Sequence, residues 1–440
     1  MREMKDSGIE WIGLAPISWD YIAIKYLVKS RLGGSWGNDV VADNDEYNRV
    51  CMRIADFDFI KLKFKENENY TIRRYSKQDI EAKTLCYGDL LIEKSGGGEK
   101  TPVGRVVVYR LSEKNLYANF MERIRLNEKL CTFEFAKYFF YSLYSQGFTR
   151  FYYNQTTGIQ NLNIERYFRE IKVPLLPLNI QQQIADYLDT QCSKIDATAE
   201  DIQKEISLLE DYKKSLIYNV ISNGINHSAY STETDEVWGN VPQGWKLVDI
   251  KYLFDIVKRI AGKEGYDVLS VTQKGLKVKD ITSGDGQLAD NYSGYQFVYP
   301  TDYVMNHMDL LTGWVDCSEF FGVTSPDYRV FRLMDKAANN LVYYKYVMQC
   351  CYMNKIFYSL GQGVSNLGRW RLQTSSFNNF KVPAPPKAEQ DEIANFLDSK
   401  CTEIDTLIAD KKRQLDILAD YKKSLIYEYV TGKKEVPVNE

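Results

Sequence analysis

Val173–Tyr218 reads VPLLPLNIQQQIADYLDTQCSKIDATAEDIQKEISLLEDYKKSLIY, and Val382–Tyr427 reads VPAPPKAEQDEIANFLDSKCTEIDTLIADKKRQLDILADYKKSLIY. The second stretch is the first again, displaced by 209 residues without a gap, and both end in the same eight residues, DYKKSLIY. A shorter echo precedes each half: Gly13, Pro16, Trp19 and Ile24-Lys25-Tyr26-Leu27 match Gly239, Pro242, Trp245 and Ile250-Lys251-Tyr252-Leu253, at an offset of 226. The stretches between the echoes, 28 to 172 and 254 to 381, are unlike each other. A repeated scaffold that carries two diverged modules predicts a pseudo-two-fold molecule reading two different things.

Each repeated stretch predicts a long helix. Prolines at 174 and 177, and at 383, 385 and 386, end whatever precedes it. Apolar or small residues then recur at 184, 188, 192, 195, 199, 202, 206 and 209, and in the second copy at 393, 397, 401, 404, 408, 415 and 418. That 3/4 alternation is a coiled-coil seam, with Lys411 interrupting the second copy. Ser222-Asn223-Gly224 and Thr431-Gly432 are the expected stops. About 40 residues at about 1.5 Å each make a rod of roughly 60 Å. One such helix cannot bury its stripe alone, so an antiparallel pair is expected; two unrelated amphipathic helices on separate cores are the competing reading. The residues expected in helix pairing or partner docking are Ile184, Leu188, Ile195, Ile202, Leu209, Tyr212 and Leu216, then Ile393, Leu397, Ile404, Leu418, Tyr421 and Leu425.

The modules read as mixed α and β, with strands at Asp89–Ile92, Val106–Tyr109 and Tyr328–Leu333 and helices over about Phe133–Ser145 and Leu341–Leu360. The expected fold class is therefore α+β: two mixed modules separated by two long helices paired as an antiparallel coiled coil. The segments are 1–172, 173–224, 225–381 and 382–440.

Composition narrows the function. The chain has 440 residues, 44% of them hydrophobic, enough for several packed cores. No apolar run approaches the roughly 18 residues of a membrane span, and MREMKDSGIEW lacks a signal-peptide core. A cytoplasmic protein is expected, with its eight scattered cysteines reduced. Cys350-Cys351 reads as core packing. Only two histidines occur, His227 and His307, which weighs against histidine triads, metal sites and general bases. Net charge is −3, but residues 28–172 carry +5, residues 254–381 carry +2 and the remainder −10. The modules lean basic and the scaffold acidic.

Enzyme signatures are missing. There is no G-x-x-x-x-G-K-[ST] loop, no G-x-G-x-x-G after a strand and no N-P-P-[YF] or D-P-P-Y of an amino-methyltransferase. Ser95-Gly-Gly-Gly-Glu-Lys-Thr101 has the wrong spacing for a P-loop. Glu81-Ala-Lys83, with Asp56 or Asp58 upstream, could be the E-x-K of a metal-dependent nuclease, a triplet of a kind chance produces often. No catalytic residue and no metal ligand is assigned. Candidate DNA contacts are Lys61, Lys63, Arg73, Arg74, Arg150, Tyr153 and Gln155 in the first module, and Lys274, Lys277, Lys279, Arg369 and Arg371 in the second. Lysine and arginine hold phosphates, while arginine and glutamine can read base edges. Solvated strand faces are the plainer reading of each.

Duplicated proline-led helices ending in DYKKSLIY, each preceded by G-x-x-P-x-x-W, resemble the specificity subunit of a type I restriction-modification system. So do Arg53-Ile-Ala-Asp56, Tyr87-Gly-Asp-Leu-Leu-Ile92 and Gly158-Ile-Gln-Asn-Leu162, with Leu269-Ser-Val-Thr272, Gly322–Tyr328 and Gly363-Val-Ser-Asn-Leu367 in the second half. The resemblance covers essentially the whole chain. It implies two target recognition domains, each binding half of an asymmetric bipartite site in double-stranded DNA, the first module the 5′ half. It further implies helices that set the gap and dock two methyltransferase subunits, motor-nuclease subunits that join that core, and no catalytic centre in this chain. AdoMet, ATP and Mg²⁺ would belong to the partners. At 3.4 Å per base pair a gap of about one helical turn is expected. A coiled-coil protein adaptor is the alternative.

Overall fold

The computed structural model describes all residues except 1–2, 43–44, 67–68, 157, 227–228, 282–288, 290, 364–369 and 438–440. His227 and Arg369 lie outside the described residues. Two helices dominate, Leu178–Asn223 of 46 residues and Lys387–Val430 of 44. They end where the sequence predicts, with Gly224 and Gly432 at φ +71° and +75°, the left-handed conformation that glycine adopts without strain.

The chain divides into two compact units, residues 1–203 with 413–440 and residues 204–412, so each takes part of both long helices. Within the first unit Lys422 bonds Asp196 at 2.6 Å and Tyr429 contacts the Tyr187 hydroxyl at 3.1 Å. Within the second, Lys213 bonds Asp405 at 2.7 Å and Lys411 pairs with Glu205. In both, partners rise along one helix as they fall along the other: the helices run antiparallel in each unit. Of the predicted seam, Ile184, Leu188, Ile393, Leu397, Ile404 and Leu425 are buried, and Ile195, Ile202, Leu209, Leu216 and Leu418 half-buried. Tyr212 and Tyr421 are 56% and 53% exposed, so they are not buried in the seam.

The first module is built on a six-stranded sheet, in the order Val28–Gly33, Met121–Leu126, Leu90–Glu93, Val106–Val108, Lys63–Phe64 and Phe57–Asp58. Neighbours are antiparallel except Val106–Val108 with Lys63–Phe64. Strand side chains alternate between faces. Leu90, Ile92, Val106 and Val108 therefore enter the core shared with Phe135 and Phe139 of helix Phe133–Ser145. Leu91 and Val107 enter a second core with Cys51, Phe57 and Tyr75. The second module carries a four-stranded antiparallel sheet, Phe254–Val257, Arg329–Leu333, Tyr303–Met305 and Val315–Cys317, against helix Leu341–Met353. That helix stops short of the expected Leu360. Asn354 caps it and Lys355 turns left-handed at φ +56°, after which only a short turn, Ile356–Ser359, follows.

Both modules are fastened to their helices in the same way. A two-stranded ribbon joins Asp20–Ala23 to Lys172–Leu175, and another joins Lys246–Asp249 to Lys381–Ala384. Gln181, buried in the first turns of one long helix, accepts from the Thr132 amide at 2.9 Å and donates to the Leu130 and Leu176 carbonyls. Gln390 accepts from the Asn340 amide at 2.8 Å and donates to the Pro385 carbonyl. Thr132 and Asn340 are the N-caps of the two module helices, so the same buried glutamine anchors the same helix start twice.

All eight cysteines are free thiols. Burial pushes Cys350 up to about 12. Among the described residues, no helix is long and apolar enough to cross a membrane.

Candidate nucleic-acid interface

The basic residues singled out in the first module are largely engaged within it. Arg73 and Arg74 lie on strand Ile72–Arg74, antiparallel to Asn48–Met52. Arg73 stacks over Trp36 at 5.0 Å, donates to the Trp36 and Gly37 carbonyls and pairs with Asp39. Arg74 pairs with Asp45, whose carboxyl is held below its usual range by that hydrogen bond, and covers Tyr47. Both arginines therefore order the segments around Trp36 and Tyr47, and Trp36 remains 42% exposed. Lys61 is turned toward the long helix, 2.6 Å from Glu200, which raises its pKa. Lys63 pairs with Glu66 at 3.4 Å. Arg150 is exposed and lies over Phe151 at 4.9 Å. Tyr153 and Gln155 sit on strand Tyr153–Thr156 of a hairpin with Ile159–Leu162.

The glycine-rich run is part of the same surface. Ser95 donates to Asn161 at 2.7 Å and the Gly96 amide to the Gln160 carbonyl at 3.1 Å. It follows strand Leu90–Glu93 and leads to no helix start, the feature a phosphate loop requires. The nuclease-like residues are similarly committed. Asp56 is buried and takes its hydrogen bonds from the Arg53 amide and guanidinium, and Lys83 pairs with Asp79 at 2.8 Å.

In the second module Lys274, Lys277 and Lys279 belong to the hairpin of Leu269–Thr272 with Gly275–Val278 or the residues just beyond it. Lys274 and Lys277 are exposed and Lys279 half-buried. Arg371 is exposed, and its main chain pairs with Gln362. Nearby His307 is pushed down to about 4 by burial and by Arg329 and Arg371, so it is neutral. An aromatic cluster was not legible in the sequence. Phe297 and Phe321 stack with centroids 5.8 Å apart, Tyr299 packs 5.2 Å from Phe321, and Arg259 covers Tyr299. Strand Gln296–Val298 and strand Gly322–Thr324 bring these rings together from distant positions.

The first unit also holds a cavity of about 380 Å³ that only its tertiary structure assembles. Lys61, Arg110, Lys137 and Lys422 line it together with Asp189, Asp196 and Glu200. Tyr138 and Lys137 both bond Asp189, and burial lowers the Lys137 pKa. The charges answer one another, so the cavity secures the module against the helices rather than offering an open anion site.

On the long helices the two copies share one exposed stripe. Leu208, Asp211, Tyr212 and Ser215 follow i, i+3, i+4, i+7 spacing, as do Ile417, Asp420, Tyr421 and Ser424. All eight are exposed.

A family model described as "Type I restriction modification DNA specificity domain" matches residues 49–208 and 242–416. The MjaVIII specificity subunit of a type I restriction enzyme from Methanocaldococcus jannaschii is 26% identical over 349 residues, 74% of this chain and 76% of its own length. The putative MjaX specificity subunit from the same organism is 22% identical, covering 97% of this chain and 96% of its own. Among solved structures, a chain from work on complex assembly and conformational transition of a type I R-M system superposes with a TM-score of 0.67 at 13% identity. That alignment covers 96% of this chain and 99% of the other, and carries the fold.

Proposed function

Because this chain belongs to the DNA specificity family of type I restriction-modification systems, we propose that it reads an asymmetric bipartite site in double-stranded DNA, one half with each module. Base recognition is assigned to the diverged modules, with the candidate contacts spread over Arg150, Tyr153 and Gln155 in the first and Lys274, Lys277, Lys279 and Arg371 in the second. The observation that carries the reading is the duplicated fastening: Gln181 and Gln390 anchor two unlike modules to one repeated scaffold by equivalent bonds. A scaffold kept constant while its cargo diverges suits a reader of two different half-sites.

Docking of two methyltransferase subunits is assigned to the long helices. The exposed stripes Leu208–Ser215 and Ile417–Ser424 support it, since an apolar and acidic face retained twice fits two copies of one protein. Motor-nuclease subunits would join that core, with AdoMet, ATP and Mg²⁺ bound by the partners and the work done in the cytoplasm. The helices act as the ruler for a gap of about one turn of DNA. Lengthening both by one helical turn is expected to widen the recognised gap, and an unchanged methylated motif would sink the ruler.

The decisive experiment is single-molecule methylome sequencing of cells that express this chain with its neighbouring methyltransferase gene. A split methylated motif that changes in one half when residues 28–172 are exchanged is expected. No new methylation from a complex that demonstrably forms would favour the protein-adaptor reading, which also predicts association insensitive to salt.

A further inference from the structure

Identity between the two copies of the lead-in separates buried requirements from surface ones. Gly13 and Gly239 share a positive φ of +65° and +67°. Trp19, Ile24 and Leu27 are buried, as are Trp245, Ile250 and Leu253. Exposed neighbours have diverged: Leu14 corresponds to Asn240, Ile17 to Gln243, and Asp20 to Lys246. Lys25-Tyr26 and Lys251-Tyr252 break that rule. They are retained although both tyrosines are out in solvent, at 60% and 67% exposure. Lys172 and Lys381, at equivalent positions of the ribbon, are likewise exposed and retained.

The fold assembles these residues twice by the same bonds. The Ile24 amide donates to the Ile171 carbonyl and the Ile250 amide to the Phe380 carbonyl, each at 3.0 Å. The Trp11 and Trp238 indoles donate to the Lys172 and Lys381 carbonyls, each at 2.8 Å. Lys172 is in register with Ala23 and Lys381 with Asp249, two residues before the lysine of each turn. Lys25 lies 4.6 Å from the Tyr26 ring and Lys251 5.1 Å from the Tyr252 ring. Lys251 also pairs with Asp249 at 3.1 Å and donates to Asn379, exposed contacts that a stronger anion can displace.

A surface kept identical in both copies meets something presented to it twice, either the pair of methyltransferase subunits assigned to the helix stripe or a feature common to both halves of the target. The bases of an asymmetric site are not common to them; the sugar-phosphate backbone is. The sign of charge separates this surface from the helix stripe, which carries aspartates: here each copy offers two lysines and a phenol, a donor set for phosphate. Building on the proposed role in DNA specificity, we propose that Lys25, Tyr26 and Lys172, with Lys251, Tyr252 and Lys381, grip phosphates at each half-site irrespective of base sequence.

The test is duplex binding by the full-length chain over a series of salt concentrations, with the target duplex and a scrambled one. Replacing Lys25, Lys172, Lys251 and Lys381 together by Ala is expected to weaken both duplexes by the same factor. The log–log salt slope should become shallower by about 0.9 for each phosphate no longer neutralised, about 3.6 for four. Arginine at the same positions is expected to keep the slope, and unchanged thermal unfolding controls for folding. An unchanged slope overturns the proposal, as does a loss confined to the target duplex, or impaired methyltransferase capture with duplex binding intact. In each of those cases the role in DNA specificity stands. Absence of any split methylated motif from a complex that forms would overturn that role, and the phosphate grip with it.

Discussion

The same ion pair occurs twice in this molecule and meets two different fates. Asp196–Lys422 and Asp405–Lys213 are equivalent at the 209-residue offset and close at nearly equal distances, 2.6 and 2.7 Å. In the first unit the lysine side chain is 7% exposed and the aspartate 13%; in the second they are 26% and 58% exposed. The difference comes from the first module. Its segment Asp58–Lys61 lies on the helices, where the Ile60 carbonyl accepts from Lys422 at 2.8 Å and Lys61 pairs with Glu200. Phe59 fills the space above, packed on Tyr141 and Tyr144. The repeated scaffold supplies equal chemistry, and the unlike modules decide how much water reaches it.

Breaking the pair on each side gives the largest expected contrast. Lys422→Met leaves Asp196 shielded without a partner, at a cost of about 3 kcal/mol or more. Lys213→Met leaves an exposed aspartate and should cost about 0–1 kcal/mol. Denaturant unfolding of the two variants, followed in the unit that carries each, checks the ratio; equal losses would remove the contrast. The fastening glutamines should by contrast behave alike. Gln181→Ala strands the Thr132 amide and the Leu130 and Leu176 carbonyls, and Gln390→Ala the Asn340 amide and the Pro385 carbonyl, for about 2–3 kcal/mol apiece; a marked asymmetry would mean the two modules are held by different means. Trp11→Phe and Trp238→Phe remove one indole bond each, about 1 kcal/mol, measurable as equal shifts in the same unfolding curves. The smallest stability effect belongs to Tyr212→Ala and Tyr421→Ala, within about 0.5 kcal/mol. Their expected consequence is weaker capture of a methyltransferase partner, and unaltered capture would remove these rings from the docking face.

The helices, their ends and most of their seam were legible because each rests on a pattern read along one stretch of chain. Ile184, Leu188, Ile393 and Leu397 follow from spacing alone. Tyr212 and Tyr421 show the limit of that reading: both belong to the repeated octapeptide, but a helix turn carries them outward. The candidate site was less legible. Arg73 and Arg74 look like free cations in a basic stretch, yet Asp39 and Asp45 hold them from more than 25 residues away. Phe297 and Phe321 are inconspicuous in sequence until two strands align them. The second module helix ends early because Lys355 goes left-handed, which no apolar period signals.

The sequence by itself determined the duplication, the two long helices and the residues retained in both copies, because repetition and heptad spacing are properties of one dimension. Only the tertiary structure decided which of two equivalent lysines is buried. Desolvation depends on what approaches through space, and the Ile60 carbonyl that completes the shell of Lys422 lies 362 residues away along the chain.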